Sequence, residues 1–528
     1  MKRFWIVLAG ALAALSAAAD VKLPALFSNG MVLQRETIAP MWGWAEPGEK
    51  ITVSTTWGAK AAATAEKDGT WQVALKTPVA GGPFDITVQG NNTETLTNVL
   101  SGEVWLCTGQ SNMDCELKFF TKDAKEEKYQ PLVDYIRNEI KTANDPLLRH
   151  IAVPRNPSFY EKVSDFKGRW VSVNPEESSG ITATGYFFGR ELRRELGVPV
   201  GLVECTWGGT RIQAWISPDV YRADPEKAAY YESEAAALKK RSSTWNAETA
   251  EQVYQEALAK WEASDKKDKR PKKPIDPVKT PYLPVTLHNG MVSAVVPYAI
   301  KGAIWYQGES NSRYMTDSYE DYFTTLIQSW REEWGRGDFP FYWAQLANWD
   351  GRDAWMDRLG WVKVCDQQRR TLKLPNTGMA VLNDIGEAQD VHPHNKMDAG
   401  KRLALWALAN DYGIKVPAYS GPLYKSHTIK KGTVLVTFDH AGSGLMTGHK
   451  NLLDDAEEVN EPLQFFEITG ADHDWKRAEA RIVSADTIDV SHPDIPDPVA
   501  VRYAWSIYPE GANLYNKEGL PASVFTTE

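Results

Sequence analysis

The sequence predicts an α/β protein, a parallel sheet covered by helices on both faces and flanked at either end by β-rich segments. Two observations predict it. From Gly102 onward, short apolar runs alternate with amphipathic helical stretches, and the runs stop at glycine or polar residues. On either side of that stretch the runs are short and separated by turn signals instead.

The chain has 528 residues and a net charge of −10, with no basic stripe carrying interleaved aromatics, so a nucleic-acid partner is not expected. Met1-Lys2-Arg3 is basic, Phe4 to Leu15 is apolar, and Ala17-Ala18-Ala19 is small. This reads as a secretory signal peptide (residues 1–19) cut after about Ala19, with an N-terminal anchor as the alternative. The mature chain is then expected to be exported, periplasmic or extracellular, without a membrane span. The four cysteines, Cys107, Cys115, Cys205 and Cys365, are scattered without a C-x-x-C pair. Export permits a Cys107–Cys115 disulfide, and free buried thiols are the alternative.

Residues 20–100 are expected to form a β-sandwich-like domain. Ile51-Thr52-Val53, Trp71 to Ala74 and Phe84 to Val88 are separated by Glu46-Pro47-Gly48, Lys67-Asp68-Gly69 and Gly81-Gly82-Pro83. Residues 101–423 are expected to form the α/β core. Its strand candidates are Val104 to Cys107, Gly201 to Thr206, Ala303 to Tyr306, Phe341 to Leu346 and Met379 to Leu382, with helices over Thr184 to Leu196 and Tyr322 to Trp334. Lys118 to His150 reads as charged and helical. Pro218 to Pro284 reads as a solvated helical insertion followed by an extended linker. Residues 424–528 return to β character, at Val434 to Phe438, Leu463 to Ile468 and Ala500 to Trp505.

Ligands of parallel α/β sheets bind beyond the carboxyl ends of the strands. There the apolar run Val104 to Cys107 meets Gly109-Gln110-Ser111-Asn112-Met113, a strand–turn–helix with a serine at the bend. Ser111 reads as a helix N-cap or as an exposed nucleophile, and one turn can serve both. A nucleophilic serine needs a base, and the base needs an orienting partner. His392 and Asp390, in Asp390-Val391-His392-Pro393-His394-Asn395-Lys396, can supply both. The alternatives are a loop histidine bound to backbone, or a metal site from His392, His394, Asp384 and Asp390. A tetrahedral intermediate also needs preset donors. The Ser111 N–H, the glycines Gly208 and Gly209, and the Asn311 side chain follow strand ends and are the candidates.

Four motifs occur in order: Gly109 to Met113, Trp207-Gly208-Gly209-Thr210, Trp305-Tyr306-Gln307-Gly308-Glu309-Ser310-Asn311, and Asp390 to Pro393. Together they resemble the sialate O-acetylesterase family of SGNH hydrolases. Leu26 to Gln34 resembles that family's opening. Asn513 to Asn516 with Gly519 to Ala522 resembles its close. The resemblance implies a flavodoxin-like SGNH core that removes acetyl groups from sugar hydroxyls without a cofactor or metal. It implies Ser111 as nucleophile, His392 as base and Asp390 as orienter, with Ser111, Gly208 or Gly209, and Asn311 as oxyanion donors. Residues in the same motifs and the loop after the second, Gln110, Trp207, Arg211, Trp215, Gln307 and Glu309, are assigned to substrate. Arg211 is a candidate for a sugar carboxylate or a structural ion pair, and Trp207, Trp215, Trp349 and Trp355 for stacking on sugar faces or for core packing, as most of the 21 tryptophans must be. Two positions depart from the pattern. In the commoner SGNH spacing the acid lies three residues before the histidine, where this chain has Gln389; Asp390 sits two before, as it does in the sialate O-acetylesterase family, and a Ser–His dyad is the alternative to a triad. Gln213 stands where similar chains often carry an acid. A glycoside hydrolase using Glu309, and a carbohydrate-binding protein with a decayed site, remain the competing readings.

Overall fold

The computed structural model describes residues 20–351 and 358–528. The expected signal peptide and Trp355 lie outside the described residues. The amino-terminal segment is all-β, with strands β1 (Val32–Gln34), β2 (Ile38–Trp44), β3 (Lys50–Thr55), β4 (Lys60–Thr64), β5 (Thr70–Lys76) and β6 (Gly81–Gln89). β2 pairs with β5 as a separate two-stranded sheet, while β4, β3 and β6 pair in that order. In β5, Trp71, Val73 and Leu75 are buried and their neighbours exposed, the alternation of a strand covered on one face.

The next strand, β7 (Thr93–Gly109), is 17 residues long and joins this segment to the core. Its first part pairs antiparallel with β6, and Leu100 to Gly102 pairs parallel with β1. From Glu103 it becomes a central strand of the α/β sheet. Burial changes accordingly, from mostly exposed over Thr93 to Asn98 to continuous from Val99 to Gly109, as a strand covered on both faces requires. The expected division between residues 100 and 101 therefore falls inside one strand.

The core sheet adds β8 (Asp145–Ala152), β9 (Val171–Val173), β10 (Val200–Thr206), β11 (Gly302–Tyr306), β12 (Phe341–Ala344) and β13 (Thr377–Ala380). The order is β13-β12-β11-β7-β10-β8-β9, parallel except between β8 and β9. Helices cover both faces. Tyr342 and Trp343 are neighbours in β12 and point to opposite sides. Tyr342 stacks on Trp105 and lies near Trp406 of α10 (Lys396–Asn410), whereas Trp343 meets Phe323 of α8 (Tyr319–Trp334). Gly400 of α10 sits against Phe187 of α3 (Ala183–Leu196), so these two helices pack on the same face.

Lys118 to His150 departs from its helical expectation. Helix α2 covers Gln130–Thr142, but Asp145–Ala152 is strand β8. Its Arg149 is buried because the guanidinium donates to Gly30 O and Asn98 O, each at 2.7 Å. The insertion carries the helices α4 (Pro218–Ala223), α5 (Pro225–Ser243) and α6 (Ala247–Glu262), followed by residues 263–276 without helix or strand. α6 buries none of its residues. The carboxy-terminal segment forms antiparallel sheets around its own core, which includes Val436, Phe466, Ile488, Tyr503 and Phe525. All four cysteines are free thiols. Among the described residues, no helix is long and apolar enough to cross a membrane.

Candidate active site

Register builds the site. Gly109, the last residue of β7, lies opposite Thr206 of β10 on one side and Tyr306 of β11 on the other. Ser111, Trp207-Gly208 and Gln307-Gly308-Glu309 therefore leave the sheet side by side. The chain fills the sheet to one side of β7 first and to the other afterwards, so this edge is the switch point where such sheets bind ligands. Gly109 has φ +129°, and a Cβ there would stand 2.3 Å from Tyr306 O, so the bend admits no side chain. Ser111 opens the single-turn helix α1 (Ser111–Asp114). Gln110, not Ser111, occupies the N-cap position, and no side chain caps the turn. The serine is thus not spent on capping, and its N–H has no acceptor within the helix.

Gly208 packs against Ser111, with 3.2 Å between the position of a Cβ there and Ser111 Cβ. Its N–H donates to Asp114 Oδ2 at 3.2 Å, and the same carboxylate accepts from Thr206 Oγ1 and Arg155. Gly209 is exposed, at φ +75°. Asn311 departs from its expected role as a donor. Its Nδ2 donates to Gln213 Oε1 at 3.0 Å and to Tyr314 O at 3.2 Å, and its Oδ1 accepts from Ile212 N and Gln307 Nε2. Both amide hydrogens are committed to holding two loops together. Gln213 is thus the acceptor that the departure at this position left unassigned. Gln307 is fully buried and donates to Gln110 Oε1, Thr210 O and Asn311 Oδ1, bracing the site from beneath. Gln110 Oε1 also accepts from the backbone N–H groups of Ser310 and Gly308, which orients its carboxamide. Among the described residues nothing claims the Gln110 amide hydrogens.

His392 lies on the loop between β13 and α10. Its ring Nδ1 is 3.7 Å from Asp390 Oδ1, while its backbone N–H donates to that same oxygen at 3.0 Å. Lys125 Nζ sits 3.0 Å from Asp390 Oδ2. Burial pushes the Asp390 carboxyl up, but the bonds from His392 and Lys125 outweigh it and hold the group well below the usual carboxylate range. The His392 ring meets Phe119 edge-on at 5.4 Å. The loop is tied to the serine turn by Asn112, whose Nδ2 donates to Val391 O at 3.1 Å and to Glu309 Oε1 at 2.6 Å. Asn112 Oδ1 accepts from Lys396 Nζ at 2.7 Å. Among the described residues Glu309 Oε2 is buried without a hydrogen-bond partner, and burial raises this carboxyl above its ordinary range.

The metal reading finds its residues divided among other partners. His394 Nδ1 bonds Glu387 at 2.9 Å, and Asp384 forms a two-point pair with Arg402 at 2.6 and 2.8 Å. The residues assigned to substrate also divide. Arg211 lies 3.6 Å over the Tyr314 ring and lines a cavity of about 440 Å³ with Tyr230, Arg241, Tyr282 and Tyr314. Trp207 is half-buried beside Arg155. Trp215 corrects its expectation. It is fully buried, donates to Thr210 Oγ1 and packs edge-on against Trp305, so it builds the core beneath the loop and faces no sugar. Trp349 is likewise buried, against Trp361.

Sequence reasoning gave no role to Asn112, Lys396, Asp114 or Lys125. Lys396 carried a readable signal: it precedes Ala399 and Leu403 by three and seven residues, placing a charge on the apolar stripe of its helix.

A parallel sheet that gathers a serine turn and two glycine-bearing loops at its switch point, with a histidine loop tied to the serine's neighbour, defines a hydrolase of the esterase class. A family model of carbohydrate esterases, sialic acid-specific acetylesterase, matches residues 101–272 and 285–411. The sialate O-acetylesterases of Mus musculus and Homo sapiens are 26% and 27% identical to this chain, over 97% of it and 95% and 93% of their own lengths. The crystal structure of a carbohydrate acetylesterase from Xanthomonas citri aligns with a TM-score of 0.76 at 34% identity, covering 96% of this chain and 100% of that one. The chain belongs to the sialic acid-specific acetylesterase family of carbohydrate esterases.

Proposed function

We propose that the protein hydrolyses O-acetyl esters of carbohydrate through Ser111 and His392. Ser111 Oγ attacks the acetyl carbonyl while His392 takes its proton. His392 returns that proton to the departing sugar oxygen, leaving an acetyl-serine. Water, deprotonated by His392, then releases acetate and restores the serine. The Ser111 N–H and the Gly208 N–H are assigned to the oxyanion. The latter exchanges Asp114 for the substrate while Thr206 and Arg155 retain that carboxylate. The Gln110 amide hydrogens are assigned to bound substrate. The observation that carries this reading is the Asn112 bond to Val391 O, which ties the residue after Ser111 to the residue before His392.

The relatives are named for sialate in two mammals and for carbohydrate in Xanthomonas citri. An acetylated sialic acid or an acetylated plant cell-wall glycan is the substrate class proposed. Arg211, over the Tyr314 ring and in the lining of that cavity with Arg241 and Glu234, is the candidate for a sugar carboxylate. Acetate release from O-acetylated sialosides, compared with acetylated xylan and xyloglucan, separates these classes. Export through the amino-terminal segment belongs to the same proposal. The site itself is tested by Ser111→Ala, which is expected to abolish hydrolysis of a chromogenic acetate while leaving the unfolding transition unchanged. Retained turnover in that variant would sink the assignment.

A further inference from the structure

Lys396 stands at the first position of α10 and is fully buried. An ammonium in that place is costly twice over. It gives up its hydration, and it lies at the positive end of a helix. Its surroundings compensate in part. Nζ donates to Asn112 Oδ1 at 2.7 Å and lies 5.1 Å from the centre of the Phe120 ring and 5.4 Å from that of Tyr306. Cys115, Tyr306, Glu309, Glu387 and Asp390 are ionisable groups around it. A methionine would fill the same volume without these costs, so packing does not explain the charge.

What the ammonium does is orient Asn112. A carboxamide can be turned end for end with little change of shape. With its oxygen held by Lys396, which can only donate, the Asn112 nitrogen must face Glu309 Oε1 and Val391 O. Asn112 follows Ser111 and Val391 precedes His392. Glu309 has one oxygen on Asn112, and among the described residues the other is buried without a hydrogen-bond partner.

We propose that Lys396 is a positioning residue for the esterase reaction: through Asn112 it fixes the serine turn against the histidine loop. This rests on the assignment of Ser111 and His392. Lys396 touches neither substrate nor reacting atoms. Its effect is on the fraction of molecules whose serine and histidine are aligned, so it acts on kcat rather than on binding. Burial lowers the Lys396 ammonium to about 8, with Cys115, Glu309, Glu387 and Asp390 pulling it back up. The alignment therefore weakens as pH rises through that value.

The test compares Lys396→Met with Lys396→Gln on a chromogenic acetate. Lys396→Met is expected to lower kcat roughly 100-fold with KM within about twofold. Lys396→Gln keeps a neutral donor for Asn112 and is expected to recover about tenfold of that loss. The wild type is expected to lose kcat above about pH 8, and Lys396→Gln, which does not titrate there, to lack that alkaline limb. If Lys396→Met does not fold, Asn112→Ala carries the test, with the same expected loss in kcat. The proposal is overturned if a folded Lys396→Met or Asn112→Ala keeps kcat within about threefold of wild type. It is equally overturned if the alkaline limb survives in Lys396→Gln. An inactive Ser111→Ala beside a fully active Lys396→Met refutes this positioning role alone. An active Ser111→Ala refutes the underlying assignment.

Discussion

Asp390 gives its Oδ1 to the backbone of His392 and not to the ring. The backbone N–H of His392 takes Oδ1 at 3.0 Å, and the ring nitrogen stands off at 3.7 Å, beyond hydrogen-bond range. An aspartate that bonds the imidazole directly contributes roughly 10⁴-fold to turnover. Asp390 holds the loop through the His392 backbone N–H rather than through the ring. Asp390→Asn is accordingly expected to lower kcat only about 10- to 100-fold, measured on a chromogenic acetate. The same carboxyl links the loop to acid stability. Its value in the folded protein lies below the ordinary 3.8, so the folded state favours the ionised form. Its stabilisation is complete above pH 3.8 and is lost as the pH falls from there toward the lowered value. Urea unfolding of wild type and Asp390→Asn should differ most at neutral pH and converge in acid.

The elements that carry the site end where their neighbours end. Gly109, Thr206 and Tyr306 share one level of the sheet, which is why three motifs far apart in sequence meet. Gly109→Ala adds a methyl group 2.3 Å from Tyr306 O on a backbone at φ +129°. The expected cost is about 2–4 kcal/mol of unfolding free energy, read as a lower urea midpoint with an unchanged slope. These strand ends were legible because an apolar run that stops at glycine is a local pattern. β8 was not. Pro146, Arg149 and His150 interrupt its apolar residues, and Arg149 is satisfied by Gly30 and Asn98, carbonyls that no local window contains. The same reason hid Asn112 and separated the tryptophans. The motif marked where Trp215 lies in the chain, but its burial is decided by Trp305 and Thr210 arriving from other elements. Asn311 shows the limit most directly: its position follows a strand end as expected, yet Gln213 and Tyr314 take both its hydrogens.

At the scale of the molecule, the amino-terminal β segment and the core share a strand and one apolar core, which includes Val21, Leu106 and Leu403 and reaches Ile507 and Val524 of the carboxy-terminal segment. The α/β order, the β-rich ends and the helical insertion could be read from composition and periodicity. The shared strand could not, because Thr93 to Ser101 is polar and alternating while Gly102 to Gly109 is apolar. Two truncations separate the consequences. A chain lacking residues 20–100 is expected to show no cooperative unfolding, since it loses β1, β6 and Thr93 to Leu100 of β7 itself. A protease cut within residues 263–276, beyond a helix that buries nothing, is expected to leave activity and sedimentation unchanged.

The shared strand also sets an order of assembly. As the chain emerges from its amino terminus, the first half of β7 finds β1 and β6 already made. Its second half must wait for β10 and β11, about one hundred and two hundred residues later. At ordinary synthesis rates the run Val104-Trp105-Leu106-Cys107 stands as an unpaired apolar edge for roughly 5 to 40 s. Substitutions there are expected to appear first as lost yield of soluble protein, before any change in the enzyme that does fold.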